Sequence, residues 1–524
     1  MHTKHLLLIL VGLALACYVP FLGNKLVWDD EQFIYSNAYV QNFSVAKIFT
    51  TNTVAGAGVV SNYYRPLTTL SFAIDYQFWG RSPIGYHLPN LLLHLAAGLL
   101  LFYLLQLIRL PRTASFWLSV LFIVHPIQTE AVVYANSRGD SLYTVFTLLS
   151  LISFLYFYQQ KQLVLHFYEQ KLVIKSIVFA GASLIFYLFS ILSKEIGIAV
   201  FGLHGLLFVQ QALTNHTKLS LRKSLWVTKI ALGLLTALVL TAIGYLWLRG
   251  TALNFDNSYN FYDATSLYGQ RLDVRLLTFS KVIWIYLQLL LFPYPLHMER
   301  TTELVATWRS IFPWITIGGI MVLAWLGWRE YRLKKQVWIW LGTGWFFGML
   351  LPVSGIIPIN GLLYEHWLYL PMVGFFLCLY GLSYTAGIVK IAKQPAQILL
   401  SLAIFALLLL TQRQNYIWST PIRFYTYLLN YSESPRIQNN LAMAYAEAGE
   451  YEQALLHYQR SLELSHSYPQ TYYNMANLYL ATDQYAAAIP LLQQAVALAP
   501  DFGLAQQKLD VLLTASASGT LRFK

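Results

Sequence analysis

Long runs of apolar residues alternate with short polar segments along most of the 524-residue chain. Four of these runs are HLLLILVGLALACYVPFL, LLLHLAAGLLLFYLLQLI, IALGLLTALVLTAIGYLWL and AQILLSLAIFALLLLT. Each run is close to the roughly 20 residues that an α-helix needs to cross a bilayer. The pattern predicts a polytopic membrane protein of the all-α class.

About eleven spanning helices give the simplest arrangement, because the basic loops between them then all lie on the cytoplasmic side. These basic loops are residues 109–112, 161–175, 217–229, 329–335 and 390–393. The predicted spans lie near 5–22, 86–108, 113–130, 140–158, 176–193, 196–213, 230–248, 311–328, 337–353, 369–388 and 396–412. The apolar run at 274–293 would break the alternation, so we interpret it as a re-entrant or outer-surface helix. The first run lacks a clear cleavage site and is interpreted as a retained helix.

Composition supports the membrane class and narrows the functions open to it. The chain is 57% hydrophobic and 11% charged with a mean hydropathy of +0.50, which is too apolar for a soluble domain. Lysine and arginine in cytoplasmic loops explain the net charge of +12, so no nucleic-acid partner is expected. Cys17 and Cys378 lie in apolar runs and predict neither a disulfide nor a metal site.

A repeat with a period of 34 residues follows the last apolar run. Its matched pairs are Asn440/Asn474, Tyr445/Tyr479, Tyr451/Tyr485, Ala454/Ala488 and Leu464/Leu498. This period is typical of tetratricopeptide repeats, which form α-solenoids. We predict a membrane domain at 1–415 and an extracytoplasmic repeat domain at 416–524, with repeats near 434–467 and 468–501 and a cap at 502–515. The repeat domain is either a packing or oligomerisation module or a peptide-binding groove.

Three consecutive acids, Asp29, Asp30 and Glu31, follow the first apolar run in the stretch LVWDDEQFIYS. Adjacent carboxylates repel one another, so the cluster is unfavourable unless a cation or a proton transfer uses it. One carboxylate can act as a general base on an acceptor hydroxyl, while its neighbour holds a divalent ion or orients the base. A solvated loop with ordinary acids is the alternative interpretation.

Other polar groups fall at the predicted outer ends of the spans, where a phosphate and a cation can meet. The candidate substrate- or phosphate-binding residues are Arg65, His87, Asn90, His125, Glu130, Arg138, Asp140, Lys194, Glu195, Glu365 and His366. Arg65 is expected to pair with Asp29 or Asp30 or to contact a phosphate. The stretch after Arg65 is predicted to form an amphipathic helix at the membrane interface. The alternative interpretation of Asp140 is a helix cap. The alternative interpretation of Lys194 and of His366 is a side chain that anchors the helix at the membrane surface.

Several nucleotide-binding and hydrolase motifs do not occur in the sequence. There is no P-loop, no Gly-x-Gly-x-x-Gly after a strand, no His-Glu-x-x-His and no Gly-x-Ser-x-Gly. An ATP-driven pump is therefore not expected. Paired inverted repeats, which many secondary transporters carry, are not seen either.

The segments WDD, YYRPLTTLSF, GYHLPNLLLH, HPIQTEAVVYANSRGD, LSKEIGI, LLLFPYPL and YEHWLYLPMVGF occur in this order over roughly residues 20–380. Together with the repeats, they resemble the transmembrane and tetratricopeptide repeat-containing O-mannosyltransferases, a family of the GT-C superfamily of integral-membrane glycosyltransferases. The resemblance implies a GT-C helical domain that transfers a sugar, with mannose as the candidate, from a polyprenyl-phosphate carrier. The acceptor would be a protein Ser or Thr hydroxyl or a glycan hydroxyl on the non-cytoplasmic face.

The resemblance also implies roles for individual residues. Asp29 is expected to be the catalytic base, with Asp30 beside it, and Glu130 or Asp140 is expected to supply a further acid. The leaving phosphate would be stabilised by Arg65, Arg138, Lys194 and His366, with inversion at the sugar carbon. A divalent cation, magnesium or manganese, is a candidate cofactor with Asp29, Asp30 and Glu130 as candidate ligands, and no nucleotide cofactor is expected.

Two repeats, rather than many, favour a prokaryotic member with an undecaprenyl carrier in the bacterial inner membrane. Its N-terminus would lie in the cytoplasm and its repeats in the periplasm, docking a protein or glycan acceptor. The alternative functions are a non-catalytic scaffold that binds proteins through the repeats, and a lipid or solute transporter. The acids and cations on the outer face favour the enzyme, because a transporter would place polar groups near mid-membrane, where His94 is the one candidate.

Overall fold

The computed structural model describes residues 2–167, 170–214, 221–254, 266–359, 361–387 and 393–517. Every regular element in these ranges is helical, which confirms the all-α prediction. The chain divides into two compact units, Met1–Leu296 with Thr301–Tyr416 and His297–Arg300 with Ile417–Lys524. The basic loops predicted at 161–175, 217–229 and 390–393 fall wholly or partly outside the residues whose side chains are described.

The first unit contains the apolar helices and a set of short helices between them. In chain order these are α1 Thr3–Tyr18, α2 Ala38–Gln41, α3 Val45–Thr50, α4 Pro66–Trp79, α5 Ile84–Leu107, α6 Arg112–Val124, α7 Thr129–Val133, α8 Arg138–Phe167, α9 Gln170–Ser193, α10 Val200–Thr214, α11 Leu221–Ala252, α12 Leu267–Gln270, α13 Leu272–Leu291, α14 Ile311–Lys334, α15 Trp338–Leu350, α16 Pro371–Thr385 and α17 Lys393–Ile417.

Nine helical segments of the described chain are long and apolar enough to cross a membrane, or ten if one bent pair counts as a span. They include helices α1, α5, α8, α9, α10, α11, α13, α14 and α17. The chain is therefore a multi-pass integral membrane protein. Most predicted spans match these helices within a few residues.

The run at 274–293 forms α13, a 20-residue helix of mean hydropathy 1.5 that is long enough to span, and its interpretation as a re-entrant or outer-surface helix stays a prediction. Two other predictions about the spans need correction. The span predicted at 113–130 ends at Val124 and resumes after a 51° bend, because His125 is extended ahead of Pro126. The spans predicted at 337–353 and 369–388 are the shorter helices α15 and α16, since Pro371 starts α16 late.

The segment between α1 and α4 folds onto the start of α5 through a small apolar core. Phe33, Ile34 and Val40 from this segment pack with Phe72 of α4 and Tyr86 of α5. The Thr68 hydroxyl of α4 donates to the Ser193 carbonyl at the end of α9, 2.7 Å away. The 33–40 segment is therefore held against α4 and the start of α5, and α4 in turn contacts the end of α9.

A close approach at Gly139 brings the ends of α8 and α9 together. A Cβ atom at Gly139 would lie 3.3 Å from the Ser193 carbonyl oxygen and 3.5 Å from the Thr68 hydroxyl. Glycine therefore allows α8 to begin beside the end of α9. This contact sets Asp140 next to Lys194.

The second unit contains the C-terminal helices α18 Pro421–Leu428, α19 Pro435–Glu447, α20 Tyr451–Leu464, α21 Pro469–Ala481, α22 Tyr485–Leu498 and α23 Gly503–Ala517. Helices α19/α20 and α21/α22 form two antiparallel hairpins with small residues at the crossings. Gly449 and Asp483 lie at equivalent turns, 34 residues apart, and both have the left-handed backbone such a turn requires. The two hairpins are thus successive copies of one unit.

Candidate functional site

Asp30 is a buried carboxyl group that ties two distant segments together. Its Oδ2 atom accepts the Val27 N–H at 3.0 Å, and its Oδ1 atom accepts the Asn136 N–H at 2.8 Å. Its side chain is almost fully buried. Burial raises the pKa of Asp30 to about 8, although the Val27 and Asn136 N–H groups oppose this rise. Asp30 therefore anchors the 27–30 segment to the chain that precedes α8.

Asp29 is more accessible than Asp30 and sits on a constrained backbone. Its N–H donates to the Tyr134 hydroxyl at 3.2 Å, while its carbonyl accepts the Phe33 N–H at 3.1 Å. Trp28, immediately before it, has a left-handed backbone with φ of 60°, which is uncommon for a bulky residue. Asp29 is half-buried, whereas Asp30 is buried. Glu31 is exposed and accepts a hydrogen bond from Ser36.

Arg138 is enclosed by acceptors of the protein itself. Its guanidinium donates to the Asn90 amide oxygen at 2.7 Å and to the Tyr86 carbonyl at 2.9 Å, and it forms an ion pair with Asp75. The group also lies over the Phe72 ring. A direct contact between Arg138 and a phosphate would require these bonds to break. The structure therefore indicates a structural role for Arg138.

Lys194 and Asp140 form a second buried ion pair, 2.6 Å apart. Asp140 lies in the first turn of α8, and Lys194 follows the end of α9. The alternative of Asp140 as a simple helix cap is therefore wrong, because its carboxylate binds the Lys194 ammonium. A buried charge of either sign needs such a partner.

Arg65 pairs with Glu195, and the prediction that it pairs with Asp29 or Asp30 is wrong. The guanidinium Nε lies 2.7 Å from Glu195 Oε2, and Nη2 lies 3.2 Å from Oε1. The Arg65 charge also lies over the Tyr63 ring. α4 starts directly after Arg65 and packs on the end of α9, which places this guanidinium beside Glu195. This pair is less buried than that of Lys194 and Asp140.

His366 and Glu130 form a third contact between the candidate residues. The His366 Nδ1 atom lies 2.7 Å from Glu130 Oε1, and the His366 N–H donates to Oε2 at 3.2 Å. Burial lowers the pKa of His366, and the positive charge of Lys194 lowers it further. The neutral ring therefore donates from Nδ1 to Glu130. Glu365, the preceding candidate, is buried at the start of the short helix Glu365–Leu368.

The remaining candidate groups support the surrounding helices. His87 Nε2 lies 2.9 Å from the Asn24 carbonyl, and Asn90 donates to the Val132 and Ala135 carbonyls. His125 Nε2 lies 3.1 Å from the Leu290 carbonyl and its Nδ1 accepts the Ile127 N–H. These side chains hold α5, α7 and α13 in place around the acids.

The geometry of these side chains also shows whether they could bind a divalent cation. Over the described ranges, no three His, Cys, Asp or Glu side chains come together in an arrangement that could hold a metal ion. Asp29, Asp30 and Glu130 thus do not form a ready ligand set, and both Asp30 oxygens already accept N–H groups.

Two residues of this site were not singled out by the sequence analysis. Asp75, the partner of Arg138, lies on α4, and Tyr134, the partner of Asp29, lies between α7 and α8. An acid on an otherwise apolar helix face could have indicated Asp75, since such a group needs a partner. Tyr134 carried no such signal among the many aromatic residues of the chain.

Comparisons with known proteins agree with this organisation. A tetratricopeptide-repeat family model matches residues 433–501. A Caenorhabditis elegans protein O-mannosyl-transferase is 35% identical over 153 residues, which are 28% of this chain and 22% of the relative. Protein O-mannosyl-transferase Tmtc3 of Drosophila melanogaster is 25% identical over 93% of this chain and 58% of its own length.

The human protein O-mannosyl-transferase TMTC3 is 23% identical over 93% of this chain and 55% of its own length. The chain thus spans less than two thirds of the length of each of these relatives. Among solved structures, the Archaeoglobus fulgidus oligosaccharyltransferase matches 84% of this chain and 58% of its own, with a TM-score of 0.45 and 11% identity.

The fold and the repeat match define a multi-pass, all-helical membrane protein with a C-terminal tetratricopeptide-repeat region. Its relatives confirm the resemblance to the transmembrane and tetratricopeptide repeat-containing O-mannosyltransferases.

Proposed function

We propose that the chain is an inverting glycosyltransferase that moves a sugar from a polyprenyl-phosphate carrier to a Ser or Thr hydroxyl of a protein, or to a glycan hydroxyl. Mannose is the candidate sugar, because the relatives are named O-mannosyl-transferases. The observation that carries the proposal is the half-buried Asp29, whose main chain is held by Tyr134, in the same unit as the ion pairs of Arg65 with Glu195 and Lys194 with Asp140. Transfer on the non-cytoplasmic face, with the repeats docking the acceptor, belongs to the same proposal.

The Asp29 carboxylate acts as the general base in this reaction. It takes the proton of the acceptor hydroxyl while the hydroxyl oxygen attacks the anomeric carbon. The bond from that carbon to the carrier phosphate breaks, and the phosphate leaves with both bonding electrons. A single displacement inverts the configuration at the anomeric carbon.

Two cations, Arg65 and Lys194, stabilise the leaving phosphate. Arg65 is partly exposed and paired with Glu195, so it can exchange this carboxylate for a phosphate. Lys194 lies deeper and is held by Asp140, where its charge acts at short range in an apolar environment. Asp30 keeps the Asp29 segment against α8 throughout.

Two other functions fit the structure less well. The transporter interpretation needs polar groups that are free to bind a solute within the bundle. His94, however, binds the Tyr369 hydroxyl at 2.7 Å and the Ile123 carbonyl at 3.2 Å. His204 binds the Ser150 hydroxyl and the Val200 carbonyl in the same way. A non-catalytic scaffold has no evident use for the buried ion pairs of Lys194 with Asp140 and Arg65 with Glu195 near the ends of the spans.

The direct test reconstitutes the full chain in nanodiscs with a polyprenyl-phosphate sugar and a Ser/Thr-rich acceptor peptide. The expected product is a peptide that carries one sugar with the anomeric configuration opposite to that of the donor, as read by NMR. Transfer with retained configuration, or no transfer with mannose, glucose or galactose donors, would contradict the proposal.

A further inference from the structure

Two short segments that are about a hundred residues apart in sequence are joined beside the acids. Residues 27–30 follow α1, and residues 134–136 connect α7 to α8. Two hydrogen bonds connect the segments, from the Asn136 N–H to the Asp30 carboxyl and from the Asp29 N–H to the Tyr134 hydroxyl. A third, from the Val27 N–H to the Asp30 carboxyl, lies within the first segment. The position of Asp29 is therefore set by the 134–136 segment together with the short helix that follows Asp29.

Tyr134 takes part in these hydrogen bonds through its side-chain hydroxyl. The Asp30 carboxyl binds main-chain N–H groups, which a substitution at Val27 or Asn136 would leave in place. The Asp29 N–H, in contrast, meets the phenol oxygen of Tyr134 at 3.2 Å. The Asn136 amide nitrogen lies 3.5 Å from the same oxygen. A change at position 134 can thus remove the support of Asp29 while it leaves the two hydrogen bonds of the Asp30 carboxyl in place.

The surroundings of Tyr134 suit a fixed support. Its side chain is 4% exposed, so the ring is held by packing on all sides. Burial raises the pKa of Tyr134 well above its ordinary value, and the charges of Asp29 and Asp30 add to this effect. The hydroxyl therefore stays protonated, and its oxygen is available to accept the Asp29 N–H.

The backbone that Tyr134 supports is strained. Trp28 has a φ of 60°, a conformation that bulky residues adopt only where the surrounding structure imposes it. Without the bond at Asp29, the strain at Trp28 can relax by a rotation of the adjoining peptide. Such a rotation would move the carboxylate of Asp29 away from the acceptor hydroxyl.

We propose that Tyr134 is a positioning residue for sugar transfer, and that its phenol oxygen holds the Asp29 main chain so that the carboxylate faces the acceptor hydroxyl. This inference rests on the proposed function, because it assigns Tyr134 a task in the same reaction. Tyr134 itself exchanges no proton with the substrate. Displacement of a reacting group by about 1 Å lowers rates by on the order of 100-fold, which sets the size of the expected effect.

The test compares Y134F with Y187F in the full chain in nanodiscs. Tyr187 is a matched control, because it is also buried and its hydroxyl donates one hydrogen bond, to the Ile198 carbonyl 3.0 Å away. Y134F is expected to lower kcat by about 10- to 100-fold and to change the donor KM by less than about threefold. Y187F is expected to keep the wild-type kcat. Equal kcat values for the two variants, or an effect of Y134F on the donor KM alone, would overturn the inference.

A second variant covers the case in which Y134F does not fold. Replacement of Tyr134 by 3-fluorotyrosine keeps the ring and the hydroxyl but makes the phenol oxygen a weaker acceptor. Its kcat is expected to fall by a few-fold at unchanged donor KM, and an unchanged kcat would overturn the inference. A wild-type chain that transfers no sugar would instead refute the proposed function, whereas an active wild type with unaffected Tyr134 variants would refute this inference alone.

Discussion

The ammonium group of Lys194 lies 2.6 Å from the carboxylate of Asp140, and the two side chains are 4% and 0% exposed. Arg65 and Glu195 form a neighbouring pair at 2.7 Å that is more exposed. The site therefore contains one fully buried ion pair and one that is somewhat more exposed. This difference leads to separate expectations for stability and for donor binding.

Removal of the Asp140 charge is expected to destabilise the protein strongly. D140N leaves the Lys194 ammonium buried without an opposite charge, and a broken buried pair lowers stability by about 3–5 kcal/mol. The comparison is E195Q, where the pair is somewhat more exposed and the loss of stability is therefore expected to be smaller than in D140N. The measurement is the apparent melting temperature in detergent. Similar shifts for D140N and E195Q would show that the burial of the pair is not what matters.

Substitution of Arg65 is expected to weaken donor binding. R65Q should raise the donor KM by about tenfold, with a smaller change in kcat, because a charge-assisted bond to phosphate contributes about 1.5–3 kcal/mol. The matched control is R271Q, since Arg271 is half exposed and pairs with the neighbouring Asp273. Steady-state kinetics with varied polyprenyl-phosphate sugar give both values. An unchanged KM in R65Q would remove Arg65 from the donor site.

The raised pKa of Asp30, about 8, predicts that stability falls as pH rises. Between about pH 4 and about pH 8 the folded chain keeps the Asp30 proton, whereas the unfolded chain loses it. Raising the pH in this window thus favours unfolding, by at most about 1.4 kcal/mol per pH unit. The difference between the apparent melting temperatures at about pH 5 and about pH 8 should be smaller in D30N than in wild type. Parallel behaviour of the two proteins would contradict the burial argument.

Two glycines of α15 provide a test of the packing of the membrane unit. A Cβ atom at Gly342 would lie 2.6 Å from the Gly374 carbonyl oxygen of α16, whereas one at Gly348 would meet nothing within 4 Å. G342A is therefore expected to lower stability by about 1–3 kcal/mol. G348A is expected to be neutral or to stabilise by about 0.5 kcal/mol. Thermal unfolding of the two variants side by side measures the difference, and equal values would refute the close α15–α16 contact.

Much of the architecture follows from local patterns in the sequence. Apolar runs near 20 residues locate most spanning helices, and the 34-residue spacing of Tyr451 and Tyr485 locates the repeats. Asp29 and Asp30 stand out because charges are rare next to a span. The break at His125 also had a local signal, since Pro126 disfavours helix in the residue before it.

The pairing of the site residues has no comparable signal. Arg65 and Glu195 are 130 positions apart, and the local sequence around Arg65 fits a bond to Asp29 equally well. The packing of α4 on the end of α9 decides the outcome, and this packing depends on tertiary contacts such as Thr68 with Ser193. The support of Asp29 by Tyr134 likewise arises from the meeting of two segments.

The central claim is that the Asp29 carboxylate enables sugar transfer to a hydroxyl acceptor, and one complementation experiment tests it most directly. Cells that lack the chain are complemented with wild type, D29N or E31Q, and their envelope proteins are analysed by glycopeptide mass spectrometry. Glu31 is the matched control, because it is the exposed acid two positions further on. We expect wild type and E31Q to restore single-sugar Ser/Thr glycopeptides and D29N to restore almost none. Equal glycopeptide levels with D29N and E31Q would contradict the account.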